Sequence, residues 1–278
     1  MLVRLYLGCD RCVSTVLRAI MVLHRGIWLG LLKDRDLDRL TQAYYDRVPR
    51  YVDAAYNLSG LHDWEQRMIA AHFAPGSSIL VASAGAGREV VGLCRAGYKA
   101  DGFDCNETCV REGRKLFVEQ GLSSELMLVA PSSVPQGLTR YDGVIIGWGG
   151  YMHIRGRSRR IEFLMGLIQR MRAGAPFLVS VFHQDRKPRS HIWVACIANL
   201  LRRIRRSDQV EPGDWLDGSF DHYFTKPELI SELADVGLVT VAYEVIGSGY
   251  GVAIARFGDA ASANQYAIAC SSTPPRPS

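Results

Sequence analysis

Two glycines and an aspartate carry the first chemistry that can be read from this chain. Gly85 and Gly87 lie in Ser83-Ala84-Gly85-Ala86-Gly87-Arg88-Glu89, directly after the apolar run Ile79-Leu80-Val81-Ala82, and Asp104 follows Gly87 by 17 positions. Glycine adopts backbone angles closed to other residues and lets a ligand approach the main chain. Residues 88–96 read as a helix, and the free N–H groups of a helix start point back at whatever lies over the turn. In dinucleotide folds an acid about 20 residues beyond such a turn takes the ribose hydroxyls. Strand, glycine turn, helix, strand and acid in that order predict a nucleoside-cofactor site.

The elements that must position these residues alternate between strand and helix. Tyr141-Asp142-Gly143-Val144-Ile145-Ile146 is an apolar strand that opens into the glycine and aromatic loop Gly147-Trp148-Gly149-Gly150. Residues 161–171 follow as an amphipathic helix, and Phe177-Leu178-Val179-Ser180-Val181-Phe182 makes a fifth strand of the buried parallel type. Residues 226–234 read as a helix stopped at Gly237, with Thr225 and Glu228 at capping-box spacing. Residues 238–246 and 251–257 are two strands joined by Gly247-Ser248-Gly249-Tyr250, a hairpin. A nicotinamide fingerprint starting at Gly85 would need a small residue where Val90 stands. Repeated βα units closed by an antiparallel hairpin are also not the usual nicotinamide arrangement.

Over residues 44–257 the chain resembles the class I S-adenosylmethionine-dependent methyltransferases. Ser83-Ala84-Gly85-Ala86-Gly87-Arg88-Glu89 stands where that family has its glycine-rich first motif, and Asp104 where it has the ribose-binding acid. Residues 141–150 match the fourth-strand motif beside the transferred methyl, and residues 171–180 the turn into the fifth strand. The chain departs from the pattern at Val81, where an acid is usual, and at Ser83, where the first glycine is usual. After the third strand, Ser132 and Ser133 stand where an acid often lies near the adenine. The resemblance implies an α/β fold. It is a Rossmann-like, mostly parallel seven-stranded sheet with a terminal antiparallel hairpin, helices on both faces and an N-terminal helical extension. It implies S-adenosyl-L-methionine as cofactor, held by Ser83, Ala84, Gly85, Gly87, Asp104, Cys105, Ser132, Gly147, Trp148 and Tyr45. Tyr151 and Trp148 would shape the pocket on the methyl side, with Tyr151 and His183 toward the substrate.

A sulfonium methyl is already activated, so such an enzyme chiefly aligns a nucleophile with it. A base is needed only for a protonated acceptor. Histidine titrates near neutrality, and His153 and His222 are the candidate catalytic residues. The loop after the fourth strand lacks an Asn-Pro-Pro-Tyr sequence and a Pro-Cys pair, which by resemblance argues against adenine-N6, glutamine-amide and cytosine-C5 methylation. The expected acceptor is a small molecule, methylated at oxygen or nitrogen. A cofactor-binding regulatory module and an NAD(P)-dependent reductase are the competing readings, because fold does not choose function.

Composition agrees with one globular enzyme of 278 residues, 48% hydrophobic and 22% charged. A net charge of +5 is too mild to predict a nucleic-acid partner. Seven scattered cysteines argue against a disulfide framework, and Cys9-x-x-Cys12 has no second ligand pair for zinc. No metal is expected, and the thiols predict a cytoplasmic protein.

Residues 1–60 form the expected helical extension and lid, 61–257 the catalytic domain, and 258–278 a small, polar, proline-bearing tail that reads as disordered. Arg4, Asp10, Arg11, Arg18 and Arg25 interrupt every long apolar run in residues 2–32, so no transmembrane span is predicted. Apolar residues at helical spacing there predict an amphipathic helix packed on the domain or on a dimer partner, with a membrane surface as the other reading. Residues 44–61 hold Tyr44, Tyr45, Tyr51 and Tyr56. A tyrosine ring face attracts a sulfonium while its hydroxyl bonds a carboxylate or substrate. Residues 183–224 are an insertion expected to cover the substrate, with an amphipathic helix over 190–206 ending in Arg202, Arg203, Arg205 and Arg206. Those arginines either complement the helix dipole or hold an acidic substrate group.

Overall fold

The computed structural model describes residues 1–137, 139–247 and 249–258. The tail expected over 258–278 falls outside the described residues except for Gly258. In chain order the elements are α1 (Leu2–Leu31), α2 (Asp34–Arg47), α3 (Ala54–Leu58), α4 (Asp63–His72), β1 (Ser78–Ala82), α5 (Arg88–Arg95), β2 (Lys99–Asp104), α6 (Glu107–Glu119), β3 (Leu126–Leu128), β4 (Gly143–Ile146), α7 (Arg157–Ile168), β5 (Pro176–Phe182), α8 (Arg189–Arg205), β6 (Asp214–Leu216), β7 (Phe220–His222), α9 (Lys226–Asp235), β8 (Leu238–Ile246) and β9 (Tyr250–Phe257). Seven strands form one sheet in the order β3-β2-β1-β4-β5-β9-β8, and β6-β7 is a separate ribbon. β1 pairs in parallel with β2 on one side and β4 on the other, while β9 runs antiparallel to β5 and β8.

Both faces of the sheet are buried, which is why its central strands read as continuous apolar runs. Leu80 and Ala82 of β1 join Val144, Ile146, Phe177 and Val179 in the core on one face. Ile79 and Val81 point the other way and pack with Ile145, Leu178 and Val90. The strand order reverses direction at β1 and β4, and in open α/β sheets ligands bind in the crevice beyond the carboxyl ends at such a switch point.

Local signals explain the element boundaries around that crevice. Gly87 takes φ +94° at the start of α5, and a Cβ there would lie 2.5 Å from the Phe117 ring, so glycine is required both for the turn and for packing. Asn106 caps α6 by accepting a hydrogen bond from the Cys109 amide at 2.8 Å. Losing such a cap costs about 1–2 kcal/mol. Asn106→Ala is therefore expected to lower stability by about that amount, read as a shift of the denaturant midpoint without a change in slope. Glu228 accepts the Thr225 amide at 3.2 Å, the capping-box contact expected for α9.

The N-terminal helix departs from expectation. Only its last turns pack on the domain: Arg25, Gly26, Leu29 and Gly30 are buried, whereas residues 2–21 are exposed apart from Ser14. Gly26 and Gly30 allow a close crossing over α8, since Cβ atoms there would lie 2.7 Å from Ile197 and 2.8 Å from Leu201. Despite its charges, α1 is long and apolar enough by length and composition to cross a membrane. Arg202 is also reassigned. It is 3% exposed and donates to the carbonyls of Leu29, Leu32 and Asp208, joining α8 to the end of α1.

Candidate active site

A cavity of about 490 Å³ opens at the carboxyl ends of β1, β2 and β4. Its floor is the turn Ser83, Ala84, Gly85 and Ala86, where Ser83 takes φ +54° and Gly85 φ +56°. Nothing lies within 4 Å of a Cβ built on Gly85, so the turn leaves open space on its cavity side. Asp104 ends β2 at the wall. Its Oδ2 accepts the Gly85 amide and its Oδ1 the Asn106 amide, both at 2.8 Å. A carboxylate offers about four acceptor positions, so two amides leave it capacity for a ligand. Burial pushes the Asp104 carboxyl above the usual aspartate range, against the pull of those amides.

One face of α2 borders the cavity. Asp38, Thr41, Gln42 and Tyr45 of α2 recur at helical spacing and all line the cavity, and Tyr44, Tyr51 and Tyr56 line it as well. Gln42 donates to the Cys105 carbonyl at 3.1 Å, and Asn106 donates to Asp46 at 3.0 Å, which fastens α2 over the end of β2. Burial and the nearby Asp104 push the Cys105 thiol up to about 12, so it is protonated at neutral pH. Trp148 stands opposite, its amide donating to Glu89 at 3.2 Å and its ring packed on His62 and Tyr250. The Trp148 indole Nε1 is buried without a hydrogen-bond partner among the described residues. An unsatisfied buried donor costs about 1–3 kcal/mol.

His153 faces the cavity within a linear set of hydrogen bonds. Its Nε2 is 2.8 Å from the Tyr45 hydroxyl, and its Nδ1 is 2.8 Å from the Phe220 carbonyl and 3.1 Å from Asp221 Oδ1. Two acceptors at Nδ1 require the proton there, so Nε2 accepts from Tyr45. Asp221 is oriented in turn by the Ser219 hydroxyl at 3.1 Å. Burial disfavours the imidazolium, but the Asp221 hydrogen bond and charge outweigh it, and the His153 pKa is raised.

Several expected site residues lie elsewhere. His222 is 0% exposed and lies behind the cavity wall, with Nδ1 2.6 Å from Asp214 and Nε2 3.0 Å from Glu228. Against burial, its charge and hydrogen bond help to pull Glu228 down to about 2, and the carboxylates raise the His222 pKa. With both ring nitrogens spent on carboxylates, His222 has none free to act as a base for a bound acceptor. Glu211 could join His222 and Asp214 around an ion, but its carboxylate meets Arg160 at 2.7 Å. Tyr151 is also fully buried, donating to Glu232 at 2.6 Å in a core network completed by Arg160. His183 lies outside the cavity lining, bonded to Tyr243 and Asp185. Gly147 and Gly87 support the floor from behind, since a Cβ on Gly147 would run into the Ser83 carbonyl. Ser83, Ala84, Gly85, Asp104, Cys105, Ser132, Trp148, Tyr45 and His153 do meet around the one cavity. Asp221, Gln42, Asn106 and Glu89 line it too and were not anticipated. The α2 spacing could have flagged Gln42, but nothing local marks Asp221 as the partner of a histidine 68 positions away.

No protein-family model and no curated protein matches the sequence. Solved structures do. An S-adenosylmethionine-dependent methyltransferase from Methanosarcina mazei superposes with a TM-score of 0.54 at 20% identity, covering 72% of this chain and 99% of its own. The 1,6-didemethyltoxoflavin-N1-methyltransferase of Burkholderia thailandensis, solved with 1,6-didemethyltoxoflavin and S-adenosylhomocysteine bound, gives 0.59 at 18% identity over 82% and 92%. The chain has the class I S-adenosylmethionine-dependent methyltransferase fold. A third structure with this fold, an S-adenosylmethionine-dependent methyltransferase from Clostridium acetobutylicum, gives 0.53 at 11% identity over 71% and 90%. Within the methyltransferase fold, the cavity described above lies at the switch point between β1 and β4.

Proposed function

We propose that the protein is an S-adenosylmethionine-dependent methyltransferase that methylates a hydroxyl oxygen on a small, aromatic-compatible molecule. The observation that carries this reading is the Tyr45–His153–Asp221 array, placed in the same cavity as the glycine turn and Asp104. The residues present suit the cofactor. The free acceptor positions of Asp104 match ribose hydroxyls, and the open space over Gly85 admits close approach to the backbone. Ser132 and Cys105 line the same cavity, and Trp148 Nε1, without a partner among the described residues, offers a donor. The rings of Tyr45, Tyr51 and Trp148 suit a cation, which aromatic faces attract. When bound, the cofactor supplies an electrophilic methyl.

The chain's own residues supply alignment and proton removal. An acceptor hydroxyl placed against Tyr45 would give its proton to the tyrosine oxygen as Tyr45 passes its own to His153 Nε2. Asp221 then stabilises the imidazolium through Nδ1. As the oxygen gains the methyl, the proton it loses ends on His153, and no further reactant is needed. The tyrosines of α2 and the segment after it exclude water from the reacting atoms, which strengthens every polar interaction inside.

Calorimetric titration with S-adenosylhomocysteine, followed by a panel of phenols and other hydroxylated small molecules with methyl-labelled cofactor, tests the proposal. Binding plus label transfer to oxygen is the expected result. Binding with label only on nitrogen acceptors would overturn the hydroxyl assignment, and absence of adenosyl-ligand binding would overturn the whole reading.

A further inference from the structure

Most of the charge pattern of α1 has no partner among the described residues of the domain. Arg4, Arg11, Arg18 and Arg25 recur every seven residues. Seven residues are nearly two helical turns, so the four arginines form one stripe that drifts by about 20° per repeat. Leu2, Leu5, Val13, Val16, Ile20 and Leu23 take the opposite side and are 52–76% exposed. Among the described residues the domain uses Arg25 alone of the four: it donates to the Leu216 carbonyl and lies 4.3 Å over the Trp215 ring. Among the described residues Arg4, Arg11 and Arg18 have no carboxylate partner, and Arg18 reaches only the Ser14 carbonyl of its own helix.

The neighbouring helix extends this surface. On α8 the exposed Trp193, Leu200 and Ile204 lie next to Ile197 and Leu201, which pack under Gly26 and Gly30 of α1. The exposed Arg203, Arg205 and Arg206 follow at its end. An apolar helix face cannot stay open to water at no cost, so something covers it.

Charge decides what. Asp10 is the sole acid in residues 1–33 against four arginines. A second copy seated on the apolar side would leave both arginine stripes facing outward, with almost no acid to answer them. A spanning orientation would bury Arg11 and Arg18 in hydrocarbon, which charged side chains resist. Helices with an Arg-rich polar face and an apolar opposite face lie in the interface plane, drawn there by anionic lipid. We propose that α1, with the exposed side of α8, is a membrane-binding surface whose ligand is an anionic bilayer, and that α1 lies in its plane.

This proposal does not rest on the methyltransferase reading, and its test does not use activity. The full chain is floated with vesicles of phosphatidylcholine alone or with phosphatidylglycerol at roughly 7:3, as a bilayer carrying negative surface potential. The protein is expected to float with the mixed vesicles and to be released at about 1 M salt, where screening acts within about 3 Å. Arg4→Gln, Arg11→Gln and Arg18→Gln together are expected to weaken binding about a hundredfold, roughly fivefold per arginine. Val16→Glu with Ile20→Glu is expected to abolish it, with an unchanged melting temperature because both positions are exposed. Failure to float with either vesicle would overturn the proposal, as would binding insensitive to the glutamates. A dimer in sedimentation that the glutamates dissociate, without lipid binding, would assign the face to a second copy instead. Resistance to alkaline extraction from the vesicles would overturn the in-plane orientation.

Discussion

His153→Ala is expected to lower kcat about 10²–10⁴-fold, the usual contribution of a positioned general base, while leaving affinity for S-adenosylhomocysteine unchanged. The separation follows from the geometry. His153 spends Nδ1 on Phe220 and Asp221 and Nε2 on Tyr45, so it reaches the cavity contents through the tyrosine hydroxyl. A relay of this kind also predicts that Tyr45→Phe loses turnover, because no hydroxyl remains to pass the proton. The pH profile carries a second signature. His153 must be neutral to accept a proton, and burial opposed by the stronger pull of Asp221 raises its pKa above 6.5. The rate is therefore expected to fall as pH drops through a midpoint above 6.5. Asp221→Asn removes the charge that raises the pKa and is expected to move that midpoint to lower pH. An unchanged profile in the asparagine variant, or full turnover in His153→Ala, would exclude His153 as the base.

Asp104→Ala is expected to weaken S-adenosylhomocysteine binding by about 10²–10⁴-fold, measured by calorimetry. The magnitude comes from two hydrogen bonds to a charged acceptor, each worth about 1.5–3 kcal/mol. The substitution also frees the Gly85 amide that Oδ2 now holds at 2.8 Å, so the glycine turn loses a brace along with the ligand contact. Protonation acts in the same direction. Burial raises the Asp104 pKa, so affinity is expected to decline on acidification at a higher pH than an ordinary aspartate would give. Asp104→Asn keeps the shape and one acceptor and should retain part of the affinity. If Asp104→Ala binds as tightly as the native chain, the ribose assignment is wrong.

The order of strands and helices was legible in the sequence for a physical reason. Strands buried on both faces must be almost wholly apolar, as Ile79 to Ala82 are and as Phe177 to Phe182 are apart from Ser180. The turn beyond β1 takes positive φ at Gly85 and Gly87, a conformation glycine adopts without strain, and at Ser83 as well. Capping is equally local, so Glu228 could be placed against Thr225 from spacing alone. The extent of α1 was harder to read, because charges at Arg4, Arg11 and Arg18 break the apolar runs without breaking the helix.

The histidines show where local reasoning ends. His153, His183 and His222 have the same intrinsic chemistry and follow strands or loops at the same end of the sheet. Tertiary contacts separate them: His222 is clamped by Asp214 and Glu228, His183 turns to Tyr243, and only His153 is both hydrogen-bonded for proton transfer and open to the cavity. Tyr151 and Tyr45 differ in the same way, one spent on buried Glu232 and the other on the cavity wall. Backbone conformation and apolar burial depend on neighbours in sequence and on periodicity, so the sequence by itself determined the sheet, the glycine turn and the acid at the end of β2. The pairing of polar groups depends on distances between residues far apart in the chain, such as the 68 positions from His153 to Asp221, and only the tertiary structure decided it.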